Sequence, residues 1–480
     1  MLLAAFLLNA CVGKPVGPDY ERPKLDVPER FDGVAANAWK EGRPSDGVER
    51  GDWWRVFADP ELDALQRRAA QENQDLKAAI ARLEEARAGT REARSSLFPS
   101  ASFDPSWSRT RNSPNGAFPI PIRHSSSTRV PLDVSYELDL FGKNARLIES
   151  AERGAEARQA AFETLRLSLH AQVAKLYFAL RASDTDLALL RRTVALRDDA
   201  LAIAKQRFEG GLGTELDRTR AEVEAATVRA ELAAAERARG ELANGLALLV
   251  GAPASSFSFA TQPPLEGTPP EVPAGLPAEL LERRPDVAAA ERDLAARNAR
   301  IGVAEASFFP SIRLTGYGGF ESNELGELLD WDNRIWSLAP SISLPIFQGG
   351  RLEANLARSR ASFDEGVALY RQQVLIAFRE VQDALTATRW LTEESSADQS
   401  ALIAARDAAR IARQRYDAGL TTYLDVIDAE RTALSLERAT NQVTGARYTT
   451  TITLIQSLGG GWTHTSLPPL AKEAAPTSNP

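Results

Sequence analysis

The groups in this sequence that could do chemistry are three histidines, one cysteine and many carboxylates. A metal site needs several of them to converge. His124, His170 and His464 fall in a loop, a helical run and the C-terminal tail, so no metal centre is expected. Most carboxylates stand three or four residues from arginines in helical runs, the spacing of ion pairs on a solvated face. GLGTEL, at 211–216, lacks the third glycine of a dinucleotide fingerprint and follows a helical run instead of a strand. VGKP is no phosphate loop. With no nucleophile, base and oxyanion donor in sight, neither enzymatic activity nor a cofactor is expected.

Cys11 is the only cysteine, which excludes an internal disulfide. It ends the apolar run MLLAAFLLNAC, and Leu8-Asn9-Ala10-Cys11 resembles a bacterial lipobox, although no Lys or Arg precedes the run. That likeness implies cleavage after a signal remnant at 1–10 and lipid on Cys11. Val12 follows instead of Asp, which implies sorting to the outer membrane.

What must position anything else is a helix-rich chain of 480 residues, 25% charged and only 7% aromatic. The net charge of −8, with no basic tract, argues against a nucleic-acid partner. No run of 18 apolar residues follows the N-terminus, so any membrane crossing must use strands.

The chain is duplicated. QRFEGGLGTELD at 206–217 aligns without a gap with QRYDAGLTTYLD at 414–425, placing Gly211 and Gly419 208 positions apart. NQDLKAAIARLEEA, SSLFPSASF and VPLDVSYELDLFGKNARL each have a counterpart in the second half, namely RPDVAAAERDLAAR, ASFFPSIRL and APSISLPIFQGGRLEANL. Each half reads as helix, strand, loop, strand, long helix, Gly-Leu turn and helix. The expected segments are a lipidated extended stretch at 11–58, repeats at 59–265 and 266–466, and a disordered tail at 467–480.

Two strands are sharply marked. Val130, Leu132, Val134, Tyr136, Leu138 and Leu140 alternate with Pro131, Asp133, Ser135, Glu137 and Asp139. Trp336 through Ile346 repeats the pattern, with Ser337, Ser341 and Ser343 on the polar side. Period two predicts one apolar and one polar face. Weaker stripes run through Ala101, Phe103, Pro105 and Trp107, and through Ile312, Leu314 and Phe320. Four strands cannot close a barrel alone. Both a soluble sandwich sheet and a barrel shared by several chains fit at this point. The proline-free run 144–208 carries Val173, Leu180, Leu187, Val194, Leu201 and Phe208 every seventh residue, with Leu169, Leu176 and Leu190 between, which predicts a long coiled-coil helix. Gly210-Gly211 ends it, and Thr214 with Asp217 restarts a helix; Gly419, Thr422 and Asp425 repeat this.

Nearly end to end, the chain resembles the outer-membrane efflux protein family, the TolC-like channels, in the lipoprotein branch that serves multidrug pumps. The likeness rests on Cys11 with VGPDYERP, on DWWRVFADPELDAL, LFPS, YELDLFGKNAR and LLERRPDVAAAERDLAARNARIGVAEASFFPSIRL, and on SLPIFQGGR, RYDAGLTTYLDVIDAER and LGGGW. It implies a mainly α fold with a small β part: a homotrimer with a 12-stranded outer-membrane barrel, continued by a periplasmic helical tunnel. It implies as partners outer-membrane lipid, a periplasmic adaptor and an inner-membrane pump, with the chain a passive exit duct. A type I secretion duct for polypeptides shares this fold, and a non-conducting scaffold is a third reading. The resemblance places a periplasmic gate on Tyr416, Leu424, Asp428 and Arg431. Leu424, Asp428 and Arg431 fall on one helix face. Leu424 is expected to form an apolar ring, and Asp428 and Arg431 to pair between neighbouring chains, with Tyr416 joining them. The tips, Gly211, Leu212, Thr214, Gly419, Leu420 and Thr422, are expected to dock the adaptor, because an exposed leucine on a helical tip needs a cover.

Overall fold

The computed structural model describes residues 14–25, 52–113, 124–272 and 284–460. Cys11, His464 and the tail 467–480 lie outside them. In chain order the elements are α1 (Pro60–Glu72), α2 (Gln74–Ser95), β1 (Ser100–Phe103), β2 (Ser106–Arg111), β3 (His124–Leu138), α3 (Lys143–Glu209) and α4 (Glu215–Leu249). Then follow α5 (Pro285–Ala306), β4 (Ser311–Ser322), β5 (Arg334–Ser343), α6 (Arg351–Asp417) and α7 (Tyr423–Ser457). Two compact units result: Met1–Lys24 with Arg82–Gln159 and Ala289–Arg371, and Leu25–Ala81 with Ala160–Ala288 and Gln372–Pro480. Each draws on both sequence repeats.

The first unit holds an antiparallel sheet ordered β1–β3–β4–β5, with β2 also on β3. β1 and β2 are one strand interrupted at Asp104-Pro105. Ser100 lies opposite Ser135 and Ser106 opposite Arg129, so the register runs through the break unchanged. Proline has no N–H to give a ladder, and it sits here on an edge. The sheet is therefore four strands across. The alternation read from the sequence holds within β3 and β5, but the ends differ. β3 starts at His124 and stops at Leu138; β5 stops at Ser343. Asp139, expected on the polar strand face, instead accepts a hydrogen bond from the Ala145 N–H at 2.8 Å and caps the start of α3. Leu140, Leu344 and Ile346 likewise lie beyond the strands.

The sheet's two faces differ as the period predicts. Phe103, Trp107, Leu132, Trp336, Leu338 and Ile342 share one face and are exposed, Trp336 by 77%. The other carries Asp133, Ser135, Thr315, Ser337 and Ser341, an Arg313–Glu137 pair at 3.4 Å, and Arg129 stacked 4.3 Å from the Tyr317 ring. Below the sheet, residues 14–25 are pinned by Arg146. Its guanidinium donates to the carbonyls of Val16 and Gly17 and to Asp19 at 2.9–3.1 Å. Gly302 permits this approach, since a Cβ there would meet the Val16 oxygen at 2.8 Å.

The second unit holds the core. A 3-10 turn at Trp53–Phe57 and α1 bury Trp53, Trp54, Leu62 and Leu65 against Val173, Tyr177 and Leu180 of α3. Asp59 does two jobs. One oxygen caps α1 through the Glu61 and Leu62 N–H groups, and the other accepts from the Tyr177 hydroxyl at 2.5 Å and from Arg181 at 3.1 Å. Gln66, fully buried, donates to the His170 carbonyl at 2.8 Å and accepts from His170 Nδ1 at 2.6 Å, while Trp54 packs 4.4 Å from the imidazole. Apart from the half-buried Leu176, the heptad stripe of α3 is buried through Leu190. Beyond it, Val194 and Leu201 are half-buried and Phe208 exposed, and the buried positions pass to Thr193 and Arg197.

Burial, and secondarily the charge of Arg166, lowers the His170 pKa from 6.5 to about 4. The folded imidazole is neutral where the unfolded one would already be protonated. Stability should fall as pH drops from about 6.5 to about 4, by up to roughly 3 kcal/mol, and change no further from this group below that. In thermal unfolding at pH 4 to 8, His170→Gln, which keeps a hydrogen-bonding side chain but cannot titrate, should flatten that decline.

Candidate functional site

Both helical hairpins end in the same turn. At the first, the Gly211 N–H donates to the Phe208 carbonyl at 3.0 Å and the Leu212 N–H to the Arg207 carbonyl at 2.8 Å. At the second, Gly419 donates to Tyr416 at 2.9 Å and Leu420 to Arg415 at 2.8 Å. This double closure is the Schellman motif, which needs a left-handed residue. Gly211 and Gly419 supply it with φ of 72° and 71°. The next helix is then capped. Thr214 accepts from the Asp217 N–H at 3.1 Å, and the Asp425 carboxylate accepts from the Thr422 N–H at 3.0 Å. Hydrogen bonds from Thr421 and then Thr422 hold the Asp425 carboxyl below its usual range. In many Schellman turns the following apolar side chain folds back on the helix. Here it does not: Leu212 is 85% exposed and Leu420 69%.

Of the residues assigned to a gate, Leu424 and Asp428 lie exposed on one face of α7. The other two are tied to the first hairpin of their own chain. The Tyr416 hydroxyl accepts from Arg207 at 2.9 Å, and its ring lies 5.4 Å from that of Tyr423. Arg431 makes a two-pronged ion pair with Glu224, whose side chain is nearly buried. Arg431 is thus bound within the chain.

Glu224 belongs to a network that sequence reasoning missed. Arg197 of α3 reaches Glu430 of α7 directly and lies 4.0 Å from Glu224 of α4. With Arg431, these four charges link both hairpins just behind the tips. Asp184 similarly sits buried between Leu180 and Leu187, held by Arg239 at 2.5 Å and the Gln262 N–H at 3.0 Å. Arg438 spans Asp186 and Glu231 at 2.9–3.1 Å. The available signal was that residue 184 stands four after Leu180 and three before Leu187, at the flank of the heptad stripe, where a charge must find a partner from another helix. Among the described residues no group of His, Cys, Asp and Glu could hold a metal ion, and no helix is long and apolar enough to cross a membrane.

The described residues thus give an amphipathic open sheet and two long helical hairpins. The model of the outer membrane efflux protein family matches residues 65–252 and 276–460. The chain belongs to this family. It is 35% identical over 466 residues to the outer membrane protein OprJ of Pseudomonas aeruginosa, covering 96% of this chain and 95% of that protein. It is 32% identical over 469 residues to the toluene efflux pump outer membrane protein TtgC of Pseudomonas putida, covering 96% and 95%. The outer-membrane channel OprN superposes with a TM-score of 0.86 at 32% identity, covering 93% of this chain and 99% of that one. The open state of the Neisseria gonorrhoeae MtrE channel superposes with 0.81 at 34%, covering 93% and 98%. As an outer membrane efflux protein, the chain is the non-enzymatic outer-membrane channel of a tripartite efflux pump, with its helical part in the periplasm.

The buried network yields a stability prediction. Arg197→Ala leaves Glu430 without its cation and the buried Glu224 with Arg431 alone, and should cost about 2–3 kcal/mol. Arg237→Ala, which breaks an exposed pair with Glu241 on α4, should cost no more than about 1 kcal/mol. Protease cleavage at the hairpin tips during a temperature ramp should begin earlier only in the first variant.

Proposed function

We propose that three copies of this chain share one twelve-stranded barrel and form a passive duct for small molecules, gated at its periplasmic end and gripped there by an adaptor. One observation carries the reading: a sheet only four strands across, with its apolar face uncovered. An isolated sheet of this kind would leave edge N–H and C=O groups unpaired in hydrocarbon, at several kcal/mol each. Three copies close it, put the apolar face against lipid and leave the Ser-rich face to line water. The relatives named above include a toluene pump component, which favours small-molecule cargo over polypeptides. Lipid on Cys11 would add an anchor beside the barrel. Intact-mass measurement of the detergent-extracted protein should give three chains, each beginning at acylated Cys11. A monomer would defeat the shared barrel, and an unmodified thiol would defeat only the anchor.

The gate reading now rests on Leu424 and Asp428, the two residues of the set left free of partners in the first hairpin. Leu424 from three copies would meet at the axis as an apolar ring, and Asp428 would stand one turn behind it. Arg431 on α7 and Tyr416 at the end of α6 act one step back, fixing the second hairpin to the first through Glu224 and Arg207. Leu424→Ala with Asp428→Ala should raise single-channel conductance in planar bilayers, and parent-like conductance would place the constriction elsewhere. The adaptor would cover Leu212 and Leu420 at the tips, beside Thr214 and Thr422. Leu212→Asp with Leu420→Asp removes no packing, so it should abolish pump-dependent drug resistance while conductance stays that of the parent. Undiminished resistance would leave the tips unoccupied.

A further inference from the structure

The two strand pairs of the sheet have the same internal register. Ser100 lies opposite Ser135 in the first and Ser311 opposite Ser343 in the second. Ser311 is 211 positions after Ser100, and Ser343 is 208 after Ser135. The second spacing continues down the chain. Gly142 and Gly350, also 208 apart, open the two 67-residue helices with φ of 75° and 81°, and the tip glycines Gly211 and Gly419 keep it. The repeats are therefore one backbone laid down twice. Within the chain, the second strand of the first repeat (β3) pairs with the first strand of the second repeat (β4), placing Asp133 opposite Tyr317.

We infer that a second copy of this chain completes the pattern by pairing its β1–β2 with β5, in the register that the β3–β4 ladder already uses. The inference rests on the shared-barrel reading and specifies which residues meet. Moving Asp133 forward by 208 gives Ser341, and moving Tyr317 back by 211 gives Ser106. Ser341 thus lies opposite Ser106 of the neighbouring copy. The same translation sets Leu344, continuing the line of β5, opposite Phe103, from the ladder pair Tyr136 and Leu314. It sets Trp336 opposite Arg111, from Thr128 and Ser322, and Pro340 opposite Trp107, from Leu132 and Gly318.

The translated register also keeps the two faces of the sheet continuous. Opposite residues of a ladder must share a face, and a slip of one residue exchanges the faces. In the translated register Leu344 and Phe103 both belong to the exposed apolar side, and Ser341 and Ser106 both to the polar side. That outcome follows from the two strand pairs having the same internal register, so the translated register carries no face conflict. It also puts the Asp104-Pro105 break opposite Ser343 and Ile342, where β5 ends. The missing proline N–H then costs a ladder bond only at the rim.

Paired cysteines in the full-length chain test it, read after oxidation in native membranes as covalent oligomers on denaturing, non-reducing gels. Directly opposite residues bring Cβ atoms within about 4.5–5.5 Å, and a two-residue slip takes them to about 7–8 Å, beyond disulfide reach. Ser341→Cys with Ser106→Cys should cross-link between chains at least several-fold more than Ser341→Cys with Asp104→Cys or with Ser108→Cys, and each single variant should stay uncoupled. Asp133→Cys with Tyr317→Cys, the ladder pair within the chain, serves as the folding control and should lose its free thiols in every preparation. If the Asp104 or Ser108 partner dominates, or if none couples while the control does and the native mass is that of a trimer, the register is wrong. A monomeric native mass overturns the shared barrel itself.

Discussion

Hydrocarbon offers a backbone no hydrogen-bond partners, and that one constraint governs the sheet of this protein. A strand can sit in lipid only if its neighbours satisfy it on both sides. Among the described residues the sheet has three ladders, with β1–β2 counted as one strand, and two edges. Everything else about the sheet is consistent with edges that are not meant to stay open. Its strands carry large apolar side chains on one face and serine, threonine and charge on the other, and its interruption at Asp104-Pro105 lies on an outer strand. A soluble sandwich would need a second layer to cover Trp336, Leu338 and Ile342, and these remain exposed.

The helical part obeys a different balance. α3 and α6 are each 67 residues long, far beyond what helix propensity alone would hold straight, so their stability comes from lateral packing. That packing is apolar where α1 and the Trp53–Phe57 turn lie against α3, and towards the tips it combines buried ion pairs with a small apolar cluster of Ala221, Tyr423, Val426 and Ile427. Charges in a coiled-coil seam cost desolvation, and they return little net stability compared with leucine. What they do well is fix register, because a buried arginine tolerates only one alignment with its carboxylates. The four-charge link of Arg197, Glu224, Glu430 and Arg431 aligns the first hairpin with the second across three helices, immediately behind the turns.

Strand alternation, the 144–208 helix and the two Gly-Leu tips were legible because each is a local pattern with one geometric meaning. The strand ends were not. Asp139 continues the alternation perfectly, yet the start of α3 needs a capping carboxylate more than β3 needs another rung. The buried charges were hidden for a related reason. Glu224 and Asp184 stand among arginines at helical spacing, so one sequence reads them as solvated, and only the approach of α7 or Arg239 reveals the real partner. Arg431 shows the same effect at the candidate gate, where its place on the helix face was clear but its partner, Glu224, lay 207 residues away. The Gln66–His170 clasp joins residues 104 apart, a pairing that no local pattern encodes.

The repeat spacing changes from 211 before the strand hairpin's outer loop to 208 after it, while the strand registers and the helix starts do not change at all. The whole three-residue difference has been absorbed between Arg111 and Thr128 in one repeat and between Ser322 and Trp336 in the other. That end of the molecule is where inheritance has been free to lengthen or trim the chain without moving a single ladder rung. It is accordingly the place where a displayed epitope or an affinity tag could be grafted, and where relatives of this duct should differ most in what they present to the outside world.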